Sequence, residues 1–475
     1  MIAEVSPVDT ITKVFQRQKE KSIELRLQPI KERKKLLKEF SKFILANRER
    51  IEHAVHQDFK KPLLEIDLSE IYPVVSEIRH VLDKLDQWTD RQKVDAPLTY
   101  LGTRSKILFE PKGVCLIIAP WNYPFSLCFG PLVSCLAAGN TAIIKPSEMT
   151  PHTSALIAAL ASEFFEEDVV KVIEGGQEVS TELLSLPLDH IFFTGSPAVG
   201  KIIMKAAAEN LTSVTLELGG KSPTIIDSTA IISDAAKRIA FGKFLNNGQT
   251  CIAPDYILVH EKVKDKFIES LKKEVIKLFG ENGKIDESSA SYARIVNQRH
   301  FNRLNQLLAD AVAQGAKIEL GGEVNSSSNF IHPMILSNVS PTSRMMEEEI
   351  FGPLLPIISY SSDEEVIKLI NSKPKPLALY IFSNNKTSRN KILAATSAGS
   401  VCINECVIQF THANLPFGGV NNSGIGKSHG YYGFLEFSNQ KPVLKQMSRF
   451  SSIESLYPPF KPKLKFLVDM MLKYF

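Results

Sequence analysis

From residue 113 to residue 144 no side chain is charged, a run longer than the roughly 20 residues a membrane-spanning helix needs. Pro120, Asn122, Pro124, Pro131, Gly139 and Asn140 interrupt it in clusters, so the pattern reads as strand, loop, helix and second strand. Residues 114–119 are continuously apolar, as a strand buried on both faces requires. A helical segment follows to Ala138, Gly139-Asn140 stops it, and 141–144 make another strand. Thr150 and Pro151 then supply an N-cap and a first-turn proline to a helix carrying Leu156, Ala159, Leu160 and Phe164. Further strands fall at 169–173 and 190–194. Strands alternating with helices at this spacing predict a parallel sheet flanked by helices, a doubly wound α/β design of the nucleotide-binding kind.

A second α/β unit begins near Gly219-Gly220, with a strand at 224–226, helix to about Phe244 and a strand at 256–259, and runs to roughly residue 405. The first ~90 residues instead carry a helical period, with Leu36, Phe40, Phe43 and Ile44 on one face. Lys31, Arg33, Lys34, Lys35 and Lys38 fill the other, which reads as a solvated face.

Composition changes this picture little. The 475 residues suit about three domain-sized units, or two large ones with insertions. With 44% hydrophobic and 23% charged residues the chain is neither disordered nor fibrous. A net charge of +4 gives no concentrated basic face, so no nucleic-acid partner is expected. Six cysteines are too few for a disulfide scaffold, and the N-terminus lacks the apolar core of a signal peptide. A cytoplasmic protein is the expectation.

Three segments carry reactive residues that packing alone does not explain. Cys251 follows a glycine and polar residues, which puts its thiol at a loop or helix start where backbone donors favour thiolate. Glu217, between Leu216 and Leu218 at the end of an apolar strand, faces desolvation that raises a carboxyl toward general-base range. The alternative for Glu217 is an edge residue paired to a lysine. Asn122, held between Pro120 and Pro124 at the carboxyl end of a strand, suits either an oxyanion donor or ordinary turn chemistry.

Residues 195–200, Gly-Ser-Pro-Ala-Val-Gly, open a helix whose first amides suit a pyrophosphate. The segment 424–428 resembles the end of a P-loop, but Asn421 stands where glycine is needed, so an ATP site is rejected. Cys402, Cys406 and His412 lack a second ligand pair, and no metal is expected.

Seven segments in order give a resemblance to the aldehyde dehydrogenase superfamily that covers nearly the whole chain. They are 120–124 (Pro-Trp-Asn-Tyr-Pro), 145–148 (Lys-Pro-Ser-Glu), 193–196 (Phe-Thr-Gly-Ser) and 216–221 (Leu-Glu-Leu-Gly-Gly-Lys). The rest are 248–251 (Gly-Gln-Thr-Cys), 349–353 (Glu-Ile-Phe-Gly-Pro) and 416–419 (Pro-Phe-Gly-Gly). The short N-terminus and the extension containing Pro458-Pro459 resemble the class-three, fatty aldehyde branch, whose members are generally dimers.

The resemblance implies two doubly wound, Rossmann-like parallel-sheet domains with a small β oligomerisation arm. Residues 1–218 would bind NAD(P), 219–405 would be catalytic, and 406–475 would return to the cofactor domain and end in a tail helix. Segments near 93–112 and 440–448 would form the arm. Cys251 would attack the aldehyde carbonyl, Asn122 and the Cys251 backbone N–H would hold the oxyanion, and Glu217 would activate water against the thioester. Lys145 and Glu148 would contact the adenosine ribose, the carboxylate favouring NAD over NADP, although this branch often accepts both. Gly195, Ser196 and Gly200 would lie by the pyrophosphate, and Glu349 and Phe351 by the nicotinamide ribose and ring, Glu349 also assisting proton transfer. The implied product is a carboxylate from a medium- or long-chain aliphatic or aromatic aldehyde. A CoA-acylating dehydrogenase and a catalytically silent binding protein are the alternatives.

The tail, 461–475, combines four lysines with an apolar stripe of Leu464, Leu467, Val468, Met471 and Phe475. It is too short to span a bilayer. A helix on the protein's own surface, a peripheral membrane contact and a cap on a neighbouring subunit's funnel are the three readings.

Overall fold

The computed structural model describes residues 7–97, 100, 102–447, 449, 451, 454, 457–460 and 462–474. Two large, mainly parallel sheets and a small antiparallel one organise it. In the first, the strands lie in the order Gly424–Ile425, Ser213–Leu218, His190–Gly195, Val114–Ile118, Thr141–Lys145, Val170–Val172. Only Gly424–Ile425 runs antiparallel.

Val114–Ile118 precedes the other five in the chain yet sits inside the sheet. The chain builds outward from it to Val170–Val172, then crosses back to place His190–Gly195 on its other side. Such a reversal opens a crevice beyond the carboxyl ends of the two central strands, where open α/β sheets take their ligands. Residues 120–124 leave one strand there and residues 195–200 the other. The uncharged run is the centre of this half: every residue of Val114–Ile118 and Thr141–Lys145 is buried, and the helix Ser126–Ala138 lies between them in sequence.

The second sheet has the order Lys317–Leu320, Met334–Ser337, Leu354–Tyr360, Tyr256–His260, Pro223–Ile226, Ala378–Phe382, Ser400–Ile403, with only Lys317–Leu320 antiparallel. Here the segments 219–222, 245–255 and 349–353 enter the amino ends of their strands. Chemistry-bearing loops thus come from the carboxyl edge of one sheet and the amino edge of the other. The third sheet joins Gln92–Val94, Thr103–Pro111 and Ser438–Gln446, the last two paired along their whole length. It takes in 93–94 and 103–111 of the first expected arm segment and 440–446 of the second; residues 98, 99, 101 and 448 lie outside the described residues.

Two expectations need correction. On the helix Ile30–Ala46 the buried residues are Arg33, Leu37, Phe40 and Ile44, while Leu36 and Phe43 are only partly buried. Arg33 is not solvated. Its Nη1 donates to the carbonyls of Ala137 (3.4 Å) and Ala138 (2.9 Å), and its Nη2 to that of Leu25 (3.3 Å). Ala137 and Ala138 end the helix Ser126–Ala138, where carbonyls lack intrahelical partners and a cation meets the negative end of the dipole. Periodicity could not reveal a partner helix a hundred residues away.

Thr150 occupies the N-cap position of Pro151–Phe164, but its hydroxyl is buried without a hydrogen bond. Asp58 caps that helix instead, accepting from the amides of His152 (3.1 Å) and Thr153 (2.9 Å). The tail forms the helix Pro462–Tyr474, but its stripe is not buried: Leu464 and Met471 are half-buried and Val468 is exposed, while Phe475 and the Leu467 side chain lie outside the described residues.

Candidate active site

A cavity of about 550 Å³ opens where the two sheet edges meet. Asn122, Gly195, Ser196, Glu217, Cys251, Glu349 and Phe351 all line it; Lys145, Glu148 and Gly200 do not. Seven of the ten residues singled out from the sequence therefore face one space.

Cys251 is presented by a strained turn. After the helix Ile232–Phe244 the chain passes through Asn246, Asn247 and Gly248 at φ values of 51°, 57° and 72°, three successive left-handed residues. Asparagine tolerates that region better than most side chains do. Hydrogen bonds hold the strain: the Asn246 amide donates to Glu65 Oε1 (2.8 Å), Asn247 Nδ2 to the Ala293 carbonyl (2.6 Å), and Gln249 Nε2 to the carbonyls of Asn246 and Arg294 (both 3.0 Å). Cys251 follows, half-buried, five residues before the strand Tyr256–His260.

Its protonation corrects the sequence reading. Burial, joined by the carboxylates of Glu349 and Glu217, pushes the thiol up to about 12. Backbone donors at residues 251 and 252 pull the other way, as expected, but desolvation outweighs them. In this state the sulfur keeps its proton.

Glu217 lies on Ser213–Leu218, flanked on both sides, so it is not on an edge, and its described side-chain partner is a serine. Ser428 Oγ donates to its Oε1 at 2.9 Å, while its Oε2 is buried with no partner. Burial pushes the carboxyl up to about 8. A carboxyl in that range, with one oxygen free beside a cavity, can accept a proton near neutral pH.

Asn122 leans on the cysteine loop: its Nδ2 donates to the Gln249 carbonyl at 3.0 Å. Beside it the Trp121 ring packs against His300 (centroids 4.8 Å apart) and edge-on against Phe351 (5.3 Å). Phe351 has φ 48°, a costly conformation for an aromatic residue and one that clusters at functional sites. Arg303 holds the loop by donating to the carbonyls of Glu349 (3.2 Å) and Ile350 (2.5 Å), and Asp255 Oδ2 accepts from the Ile350 amide (2.8 Å). Glu349 lies directly over Gly219, where a Cβ would stand 2.2 Å from its Oε2, so a side chain there would push that carboxyl aside. Burial, then the charge of Asp255, pushes Glu349 up to about 8.

The expected cofactor residues divide into two groups. Ser196 caps the helix Pro197–Glu209, its Oγ accepting from the Val199 amide at 3.4 Å, so the first turn points its amides toward the crevice. Gly200 lies within that helix with Leu218 2.9 Å from where a Cβ would be, so its smallness serves helix–strand packing. Lys145 ends the buried strand Thr141–Lys145 and pairs with Glu148 at 2.6 Å; Glu148 is half exposed. Against the pull of partial burial, the Lys145 ammonium and a backbone donor hold the Glu148 carboxyl below its usual range.

Several lining residues carried no signal in the sequence. Ser428 lies in the segment rejected as a P-loop, 211 positions from Glu217. His300 lines the same space with Nδ1 buried and unpartnered, and Glu77 accepts from the Gly430 amide at 2.7 Å. The thiols of Cys402 and Cys406 turn to different partners, Gln409 Oε1 (3.0 Å) and the Arg238 carbonyl (3.1 Å).

Comparison with known proteins agrees with this geometry. The family model described as the aldehyde dehydrogenase family matches residues 3–443. The chain is 45% identical over 435 residues to the 4,4'-diaponeurosporen-aldehyde dehydrogenase of Staphylococcus aureus, covering 92% of this chain and 93% of that one. It is 40% identical over 451 residues to the dimeric NADP-preferring aldehyde dehydrogenase of Rattus norvegicus, covering 95% and 96%. The solved structure of the substrate-bound state of Staphylococcus aureus AldH superposes with a TM-score of 0.92 at 43% identity, covering 97% of this chain and 99% of that one.

Proposed function

The chain belongs to the aldehyde dehydrogenase family, enzymes that oxidise aldehydes to acids with NAD(P)+, and we propose that its substrate is a hydrophobic aldehyde, aliphatic of medium or long chain or aromatic. We further propose Cys251 as nucleophile, Asn122 as oxyanion donor and Glu217 as base. One observation carries this reading: a thiol, an amide and a carboxyl with an unpartnered oxygen line one apolar cavity, though they come from three separate segments.

In this reading the Cys251 thiol gives up its proton to the Glu349 carboxylate, which lines the same cavity, and the sulfur bonds to the carbonyl carbon. The oxygen takes the displaced electron pair and is met by Asn122 Nδ2 and the Cys251 N–H. The bound dinucleotide supplies the hydride acceptor, and the product on the sulfur is a thioester. Glu217 then takes a proton from water, the hydroxide adds to the thioester carbon, and the carboxylate leaves as the thiol is restored. The buried free oxygen of Glu217 favours water over a thiol such as CoA as the acyl acceptor.

The residues present fit a dinucleotide. Ser196 and the first turn of Pro197–Glu209 offer amides to a pyrophosphate at the switch point of the sheet. Lys145 and Glu148, at the end of the neighbouring strand, would meet ribose hydroxyls; Glu349 and Phe351, across the cavity, would face the nicotinamide end. The Staphylococcus aureus relative, named for a carotenoid aldehyde, supports an apolar substrate, as do Val74, Leu127, Pro131, Phe410 and Phe437 in the lining. A series of linear aldehydes tests the substrate class: kcat/KM should rise by up to about fourfold per added methylene until the cavity is filled. A flat series would sink it.

We also propose a homodimer built through the small antiparallel sheet, and a reducing compartment, which suits six free thiols. Among the described residues no helix is long and apolar enough to cross a membrane. The helix Pro462–Tyr474 nevertheless leaves Phe466 and Leu472 70% and 81% exposed beside Lys465 and Lys473, which supports a peripheral membrane contact. The full chain should pellet with anionic liposomes and a chain ending at Phe460 should not; equal pelleting ends the idea.

A further inference from the structure

A lysine with no exposed surface lies beside this site. Lys61 follows the left-handed Lys60 at the end of the helix Arg48–Phe59, and both it and its partner Glu70 are 0% exposed. Burying two charges is costly in the absence of compensation, and apolar side chains of similar size often serve stability as well. What the pair supplies should therefore be sought in the geometry it imposes.

That geometry is specific. Lys61 Nζ donates to Glu70 Oε1 (2.7 Å) and to the backbone carbonyl of Asn122 (3.2 Å), and stands 4.2 Å from the centre of the Tyr123 ring. Glu70, on the π-helical turn Asp67–Ile71, turns its other oxygen to the amides of Phe125 (3.1 Å) and Ser126 (3.0 Å), where the helix Ser126–Ala138 begins. One ion pair thus grips both ends of the turn that carries Asn122. The Asn122 carbonyl takes a second bond, from Asn246 Nδ2 (2.8 Å), and the Asn246 amide is held by Glu65. Tyr123 Oη and Thr250 Oγ1 lie 2.7 Å apart, one residue from Asn122 and one from Cys251. The N-terminal helices thereby tie the amide loop and the cysteine loop to a common frame.

We propose that Lys61, held by Glu70, is a positioning residue that aims the Asn122 amide at the oxygen of a carbonyl bound to Cys251. Two donors on the Asn122 carbonyl set its peptide plane, and that plane sets the direction of the side chain. Misplacement of an oxyanion donor by about 1 Å can cost on the order of a hundredfold in rate. The inference rests on the reading of Asn122 under Proposed function.

The test compares Asn122→Ala, Lys61→Met/Glu70→Gln and Glu70→Gln with the unaltered chain. It measures kcat, KM for NAD(P) and the rate at which iodoacetamide alkylates Cys251. Alkylation needs the sulfur but forms no oxyanion. The double variant, which leaves no unpaired charge, should lose about ten- to a hundredfold in kcat with KM for cofactor and the alkylation rate unchanged. Unchanged kcat in a folded double variant, while Asn122→Ala is impaired, overturns the role of Lys61 alone. Full activity in both overturns the reading of Asn122 itself. A parallel fall in kcat and alkylation shows a merely structural pair and also overturns the proposal. Where the double variant does not fold, Glu70→Gln, which removes only the charged partner, should still lower kcat at least threefold with alkylation unchanged; no loss there overturns it.

Discussion

Cys251→Ala should abolish aldehyde oxidation, a loss of at least about 10⁴-fold in kcat, while the protein still binds NAD(P). The sulfur is the cysteine nucleophile of this reading, and no other described cysteine lines that space. The expected cofactor residues Lys145, Glu148, Gly195, Ser196 and Gly200 lie at or just beyond the ends of two strands of the first sheet, so removal of Sγ leaves them in place. Hydride transfer from an aldehyde followed by reduced-cofactor absorbance checks the first half, and a fluorescence titration with the dinucleotide the second. More than a few per cent of activity surviving in the variant would refute the covalent mechanism. The thiol needs a route for its proton, since burial and two carboxyls push it up to about 12. Alkylation of the free enzyme should accordingly accelerate with pH without levelling off in the neutral range.

Glu217→Gln should separate the two halves of the reaction. Sulfur attack and hydride transfer persist, water activation does not, and a first turnover of reduced cofactor should be followed by a steady rate lower by about 10²–10⁴-fold, the usual worth of a positioned base. In the unaltered enzyme the carboxyl is pushed up to about 8, so at pH 7 only about a tenth is ionised. The steady rate should therefore climb through pH 8, and the variant should lose that limb. Stability should move in the opposite sense. A carboxyl with a raised folded-state value binds its proton more tightly when folded, so its contribution is complete below about pH 4.5 and is lost as pH rises through about 8. Glutamine carries no such loss, and the variant should melt at a higher temperature than the parent at pH 9 by calorimetry. A variant with the same turnover, or with the parental pH–stability slope, would place the base elsewhere.

The alternation of apolar runs with helical periods was legible before any coordinates, because it records which side of each element meets the core. The strands at 114–118, 141–145, 190–195, 223–226 and 256–260 all follow from it. Asn122, Glu217 and Cys251, which line one cavity, could be singled out too, since polar residues in apolar surroundings, or next to turn residues, stand out locally. Arg33 shows where such reading fails. Its neighbours make the face look solvated, and only the helix end packed over it reverses that.

From the sequence alone came the α/β class, the family resemblance and the residue types able to react. Tertiary structure decided that the second sheet presents its loops at the amino edge, that burial pushes the Cys251 thiol up, and that Ser428 donates to Glu217 while Lys61 and Asn246 donate to the Asn122 carbonyl. The physical reason is range. Periodicity and turn chemistry act over a few residues, whereas desolvation and hydrogen bonding depend on whichever distant segments the crossovers bring together, here residues 61, 122, 217, 251 and 428.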